Sequence, residues 1–293
     1  MTAALARGAE QLDLREAQAP GNAGTIGDSA VRCLLMELET WPKPGLVSHV
    51  DNGSHNDMDA GTFRTSAAAI GPCFRLFAEA ASRGCGMGRL RIIGLEAEAA
   101  MLAATSGVNT HRGAIFGLGL LCAAAGARAG GLVDPEVPLG AVVARRWGRS
   151  ILEGPVLLRS HGSAARRRFC AGGARVEAAR GFPNVYQIGL PAFRSRARID
   201  PEDAEAARVE ACFALIASVE DTNLLHRGGL DGLRFAQRVT RLFLDEGGVR
   251  RPDWRAHAQS IHEDFIIRRL SPGGAADLLA MTFFVDAHER PRP

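Results

Sequence analysis

The 293-residue chain has one lysine and one tyrosine, and only 6% of its residues are aromatic. It has no uninterrupted apolar run of the roughly 18–20 residues that a membrane-crossing helix needs. Its longest candidate, residues 114–125, is short and is interrupted by Gly117 and Gly119. The N-terminal residues carry Arg7, Glu10, Asp13, Arg15 and Glu16 where a secretory leader would be apolar. A cytoplasmic protein with no membrane association is the expectation. The six cysteines, at 33, 73, 85, 122, 170 and 212, form no Cys-x-x-Cys pair. That scatter excludes a zinc knuckle and a dense disulfide framework and fits reduced, buried thiols. Walker loops, Gly-x-Gly-x-x-Gly fingerprints and Gly-x-Ser-x-Gly elbows are absent too.

What is present is alanine, at 49 positions, with few β-branched residues. Together with repeated i, i+3, i+4 apolar spacing this predicts an all-α fold. The expected form is a single globular multi-helix domain over residues 26–293, after a loosely ordered lead-in at 1–25. Helices are expected over 28–40, 61–83, 89–105, 113–129, 252–270 and 275–288. Residues 113–129, apolar nearly all round, are expected to form a buried central helix. Asp200-Pro201-Glu202-Asp203 reads as a helix start leading into Val209, Cys212, Phe213 and Ile216. Phe235, Val239, Leu242 and Phe243 repeat that spacing. Val185–Leu190 is the best strand candidate, and 154–191 is the least regular stretch.

Of the 35 basic residues 34 are arginine, so Lys43 stands alone. It lies in Trp41-Pro42-Lys43-Pro44-Gly45, a rigid turn, which points to a site needing an ammonium rather than a guanidinium fork. The polar run around it, residues 41–59, includes His49, Asp51, His55, Asp57 and Asp59. Such a set can bind a divalent cation or position a proton transfer. Carboxylates of this kind suit Mg²⁺, although a lone Asp57 or Asp59 would as readily cap the helix that follows. A second cluster, Asn109-Thr110-His111-Arg112-Gly113, opens the central helix, where free amides and an arginine suit an anion. Asp221-Thr222-Asn223-Leu224-Leu225-His226-Arg227-Gly228-Gly229 echoes it ahead of another helix. Two such sites suit a ligand with several phosphates. Ser271-Pro272-Gly273-Gly274 starts the last helix, its glycines implying close approach of a ligand or backbone. Ser160-His161-Gly162 and Arg166-Arg167-Arg168 fall in the irregular stretch, and His262 reads as a surface residue mid-helix.

These pieces taken together resemble one family. Glu37-Leu38-Glu39-Thr40-Trp41-Pro42-Lys43-Pro44-Gly45-Leu46-Val47 and Gly53-Ser54-His55-Asn56-Asp57-Met58-Asp59 are similar to the opening motifs of triphosphoribosyl-dephospho-CoA synthases. Residues 107–116, Arg180-Gly181-Phe182-Pro183, 221–229 and 271–280 continue the resemblance in order. Arg112 stands where the family motif often has lysine, which keeps the charge. The middle segment, from Ser160-His161-Gly162 to Gly189-Leu190-Pro191, resembles the malonate decarboxylase branch, with the citrate lyase branch as the alternative.

The resemblance implies an all-helical pentosyltransferase. It would move the triphosphoribosyl group of ATP to the 2′-hydroxyl of 3′-dephospho-CoA and release adenine. The product is a prosthetic-group precursor, which implies a functional link to a phosphoribosyl-dephospho-CoA transferase and an acyl-carrier subunit. Substitution at an anomeric carbon passes through an oxocarbenium-like state. On that chemistry Lys43, Arg112 and Arg227 are expected on the phosphates, and Asp57 and Asp59 on Mg²⁺ with Asp51 as a third carboxylate. His55 or His111 is expected in acid–base work, and Asn109 and Asn223 on ribose hydroxyls. His226, Ser271, Gly273 and Gly274 complete the expected substrate-binding set. One rival is a nucleosidase releasing adenine to water. Another is a non-catalytic arginine-rich nucleic-acid binder, which the 32 balancing acids and the scarcity of stacking aromatics argue against.

Overall fold

The computed structural model describes residues 22–155, 172–200 and 202–289. Among them every regular element is helical and no strand occurs. The helices are α1 (Ala23–Leu38), α2 (Ala60–Ser82), α3 (Met87–Ala104), α4 (Arg112–Ala129), α5 (Leu139–Glu153), α6 (Gly173–Ala179), α7 (Leu190–Ile199), α8 (Ala204–Ser218), α9 (Thr222–Asp245), α10 (Trp254–Ile267) and α11 (Gly273–His288). None of the described helices is long and apolar enough to cross a membrane.

The central position of α4 follows from its composition. Its residues are small and apolar on every face, and thirteen of its eighteen are buried. The glycines let neighbours close in. A Cβ on Gly126 would lie 2.1 Å from the Ala78 carbonyl oxygen of α2. One on Gly119 would meet the Phe77 ring, and one on Gly117 the Met281 side chain of α11. With α2, α3, α5 and α11 packed around it, α4 anchors a single continuous core.

Several boundaries differ from the sequence reading for identifiable reasons. Helix α1 already begins at Ala23, because the Asn22 side chain accepts the Thr25 amide at 3.2 Å. The start expected at Asp200 moves to Asp203, whose carboxylate accepts the Ala206 amide at 2.9 Å. Asp221 caps α9 directly, so Asn223–Gly229 forms its first turns instead of preceding it. Gly229 (φ 62°, ψ −159°) then breaks that helix locally. The strand expected at Val185–Leu190 is a correction: Val185–Gly189 is a π-helical turn feeding into α7. Helices α5 and α7 were not anticipated. Residues 1–21 of the expected lead-in, Ser160-His161-Gly162, Arg166–Arg168, Cys170 and Pro201 lie outside the described residues. The remaining cysteines are unbridged, with Cys33, Cys73, Cys122 and Cys212 buried.

Candidate active site

The segment between α1 and α2 cannot continue as helix, because Pro42 and Pro44 each remove a backbone donor. Thr40 closes α1 by donating its hydroxyl to the Met36 carbonyl at 2.8 Å. The chain then doubles back through Gly45, at φ +65°, where a Cβ would stand 2.1 Å from the Leu270 carbonyl oxygen. Ser54 ties the same strip down by donating to that carbonyl at 2.6 Å. Residues 41–55 are thereby stitched to the α10–α11 connection.

His262 completes the stitching. It is 2% exposed, so the surface assignment is corrected. Its Nε2 lies 3.1 Å from both Asp51 carboxylate oxygens, and its Nδ1 lies 2.6 Å from the Lys43 carbonyl oxygen. Asp51 also accepts the Gly53 amide at 2.8 Å and faces Trp41 Nε1 at 3.4 Å. Its oxygens serve the loop, and it does not line the cavity.

The turn drives Lys43 inward. The side chain is 0% exposed, and its ammonium donates to the Glu37 carbonyl at 2.7 Å and to the Glu37 carboxylate. Glu37 reaches the cavity wall, whereas Lys43 does not. The expectation of a lysine gripping phosphate is therefore corrected to a lysine holding a buried glutamate. Burial raises the Glu37 carboxyl above its ordinary range, and Lys43 opposes that.

A cavity of about 1500 Å³ opens beside this floor. Of the expected site residues, His55, Asp57, Asn109, His111, Arg112, Asn223, His226, Arg227, Ser271, Gly273 and Gly274 line it. His55, from the loop, lies 2.8 Å from the Ser271 hydroxyl through Nε2 and accepts from Arg227 at 3.2 Å through Nδ1. Asp57 stands 3.5 Å from that Nδ1, with its side chain 64% exposed. Burial, followed by the Arg227 charge, lowers the His55 pKa against the pull of Asp57. Arg227 is itself anchored on the Ser54 and Arg269 carbonyls. Arg112 pairs with Glu98 at 2.9 Å, and Asn109 accepts the Arg112 amide at 3.3 Å.

His111 sits deeper. Thr110 donates its hydroxyl to Ser66, and Ser66 in turn faces His111 Nδ1 at 2.7 Å. Burial and then the Lys43 charge push the His111 pKa down to about 3. The ring is neutral at pH 7 and offers a hydrogen bond rather than an acidic proton.

The three expected metal carboxylates do not converge. Asp59 is the α2 N-cap, in a reciprocal box with Thr62 at 2.7 Å, and is held below the usual carboxylate range by those bonds. Asp51 belongs to His262, which leaves Asp57 alone at the cavity. No group of three or more potential metal-ligating side chains occurs among the described residues.

Two carboxylates outside the expected set organise the opposite wall. Asp221 is 2% exposed and joins two helix starts. It accepts the Asn223 and Leu224 amides of α9 on one oxygen and the Ala275 amide of α11 on the other, at 2.7, 3.2 and 2.9 Å. The glycines of Ser271–Gly274 serve this junction. A Cβ on Gly273 would stand 2.8 Å from Asn223 Nδ2, and one on Gly274 3.0 Å from Asp221 Oδ2. Asp277, on the first turns of α11, takes the Ala114 amide at the start of α4. Both acids lay inside motifs already singled out, Asp221 leading its cluster and Asp277 within the last. The α3, α5 and α6 side adds Met87, Leu90, Leu95 and Ile151, with Arg91 and Arg175 among them.

A family profile described as ATP:dephospho-CoA triphosphoribosyl transferase matches residues 23–293. A protein of Azotobacter vinelandii is 42% identical over 276 residues, covering 92% of this chain and 93% of its own. One from Stutzerimonas stutzeri is 40% identical over 278 residues, with 92% and 93% covered. One from Pseudomonas paraeruginosa is 40% identical over 268 residues, with 89% of each chain covered. All three bear the name "Probable 2-(5''-triphosphoribosyl)-3'-dephosphocoenzyme-A synthase". No solved structure matches significantly. A cavity built from the six motifs and a match across nearly the whole described chain lead to one conclusion: the chain belongs to the ATP:dephospho-CoA triphosphoribosyl transferase family, a family of transferases.

Proposed function

We propose that this chain transfers the 5-triphosphoribosyl group of ATP to the 2′-hydroxyl of 3′-dephospho-CoA, releasing adenine, in support of malonate decarboxylase. The observation that carries the reading is the cavity itself. Motifs spread from residue 37 to residue 280 supply its walls, and it is large enough for two nucleotide substrates together. Arg112 and Arg227 are the residues offered to phosphate. Asn109 and Asn223 are offered to ribose hydroxyls, with His226 and Ser271 beside them. His55, its pKa lowered by burial and Arg227, is assigned the proton of the attacking hydroxyl. His111, neutral and buried, is assigned to position substrate.

The charge of the wall bears on the metal. Among the described residues, five arginines and seven carboxylates line the cavity. Arg112 already faces Glu98, so a metal ion carried with the triphosphate would lighten the charge the arginines must balance. Asp57, exposed and hard in character, fits as a single protein ligand, with phosphates and water supplying the rest. The ion would neutralise the triphosphate. The residues fit metal that arrives with the nucleotide and not a resident cage. Chelator should abolish turnover, and the substrate-free protein should elute from gel filtration without stoichiometric magnesium. Magnesium retained at one equivalent without nucleotide would contradict this.

Incubation with ATP, Mg²⁺ and 3′-dephospho-CoA, followed by mass analysis, should yield adenine and the triphosphoribosylated acceptor. Adenine and free ribose triphosphate would indicate the nucleosidase instead. The branch rests on the resemblance of the middle segment. It is tested by adding a phosphoribosyl-dephospho-CoA transferase and each apo acyl-carrier subunit. Modification of the citrate lyase carrier alone would reverse the assignment.

A further inference from the structure

The geometry points to Asp277 as the proton donor to the departing adenine. This rests on the reaction proposed above and adds a catalytic group to it. Adenine leaves poorly as an anion, so a ring nitrogen must gain a proton as the bond to C1′ breaks. The neutral histidines His55 and His111 are poor donors at pH 7. The carboxyl groups of the wall are the next candidates.

Most of the other cavity carboxylates are engaged. Glu37 is held by Lys43, and Glu98 by Arg112. Glu177 accepts both the amide and the side chain of Asn184. Asp221 is saturated by the amides of α9 and α11. Asp57 and Glu220 are exposed to solvent rather than buried in the cavity wall. Asp277 differs from all of these. It lines the cavity, and among the described residues its donor is the neutral Ala114 amide and no cation pairs with it.

The neighbouring sequence makes room for it. A Cβ on Gly113 would fall 1.9 Å from Asp277 Oδ2, so the glycine of the His-Arg-Gly run is what lets this carboxyl stand against the start of α4. Burial, then Asp221 from α9 and Glu37 from α1, raises the carboxyl well above its usual range. That setting, with two other acids nearby, favours its neutral, proton-bearing form.

The step balances. The C1′–N9 bond breaks with its electron pair going to adenine, and a ring nitrogen takes the Asp277 proton. The acceptor oxygen bonds to C1′, and its proton passes to His55. Solvent then returns a proton from His55 to Asp277, with no net gain or loss.

The test compares Asp277→Asn with the unaltered enzyme on two donors. One is ATP. The other is 4-nitrophenyl ribofuranoside 5-triphosphate, whose leaving group departs as a stable anion. With ATP the variant should lose about 100-fold or more in kcat, while the nitrophenyl donor should change by less than about threefold. Equal loss on both donors would overturn the assignment in favour of a positioning role.

The unaltered enzyme gives a second readout should the variant fail to fold. Its rate with ATP should fall on the alkaline side as Asp277 loses its proton, in a setting defined by Asp221, Glu37 with Lys43 behind it, and neutral His111. That limb should be missing with the nitrophenyl donor. A limb shared by both donors overturns the proposal. Failure of the unaltered enzyme to release adenine from ATP would instead remove the underlying reaction.

Discussion

At the scale of single residues, the loop between α1 and α2 decides most of the site. Lys43 stood out by composition, and its turn was legible from two prolines and a glycine. The direction of its side chain was not legible, because Gly45 and the contact with Leu270 set that direction from 225 residues away in the chain. The structure turns the ammonium onto Glu37 inside the protein. Removing one partner of a buried pair leaves the other charge uncompensated, at a cost of roughly 3–5 kcal/mol. Lys43→Ala should lower stability by that order in urea denaturation and cut turnover by orders of magnitude. Adding Glu37→Gln should restore much of the stability but not the activity. An unchanged melt for Lys43→Ala would contradict the pairing. His111 supplies a pH test. Its folded pKa lies near 3, below the ordinary 6.5, so the unfolded chain takes up the proton first as pH falls. The stability of keeping this ring neutral is complete above about pH 6.5 and is lost as pH drops towards 3. Relative to His111→Asn, the unaltered chain should lose at most about 2 kcal/mol between pH 7.5 and pH 5, from 1.5 pH units at 1.36 kcal/mol each. A difference that does not change with pH would contradict a buried neutral ring.

At the scale of elements, helical periodicity carried most of the fold. The buried helix expected at 113–129 is α4 at Arg112–Ala129, and the last helix expected at 275–288 is α11 at Gly273–His288. Helix α5 was not anticipated, although Leu139, Val142, Val143, Trp147 and Ile151 form one apolar stripe that helical periodicity could have found. The π-helical turn was not legible, because five residues with two β-branched side chains satisfy strand and helix patterns equally. Asp51, Asp57 and Asp59 looked like one ligand set because they are close in sequence, yet each serves a different neighbour. Conversely, Asp221 and Asp277 are far apart in sequence and meet only because α9 and α11 start side by side. The glycines of the helices separate packing from propensity. Gly126→Ala would drive a methyl against the Ala78 carbonyl and should destabilise by about 1–3 kcal/mol. Gly94→Ala, mid-helix in α3, meets only the Phe77 ring edge at an ordinary 3.8 Å. It should stabilise by about 0.5–1 kcal/mol through helix propensity. Paired thermal or urea melts check both, and the same sign at both sites would count against the packing described for α4.

At the scale of the whole molecule, six motifs scattered over the chain become one surface. The segments that carry polar chemistry lie at helix starts and in the α1–α2 loop, while the apolar faces of α2, α4, α8 and α11 hold them in place. The central claim is that this cavity couples the loss of adenine to attack by a second nucleotide. The most direct measurement is the stoichiometry of adenine release from ATP with 3′-dephospho-CoA present and with it omitted. The account predicts one adenine per triphosphoribosylated acceptor and almost none without the acceptor. Adenine released at the same rate when 3′-dephospho-CoA is absent would contradict it.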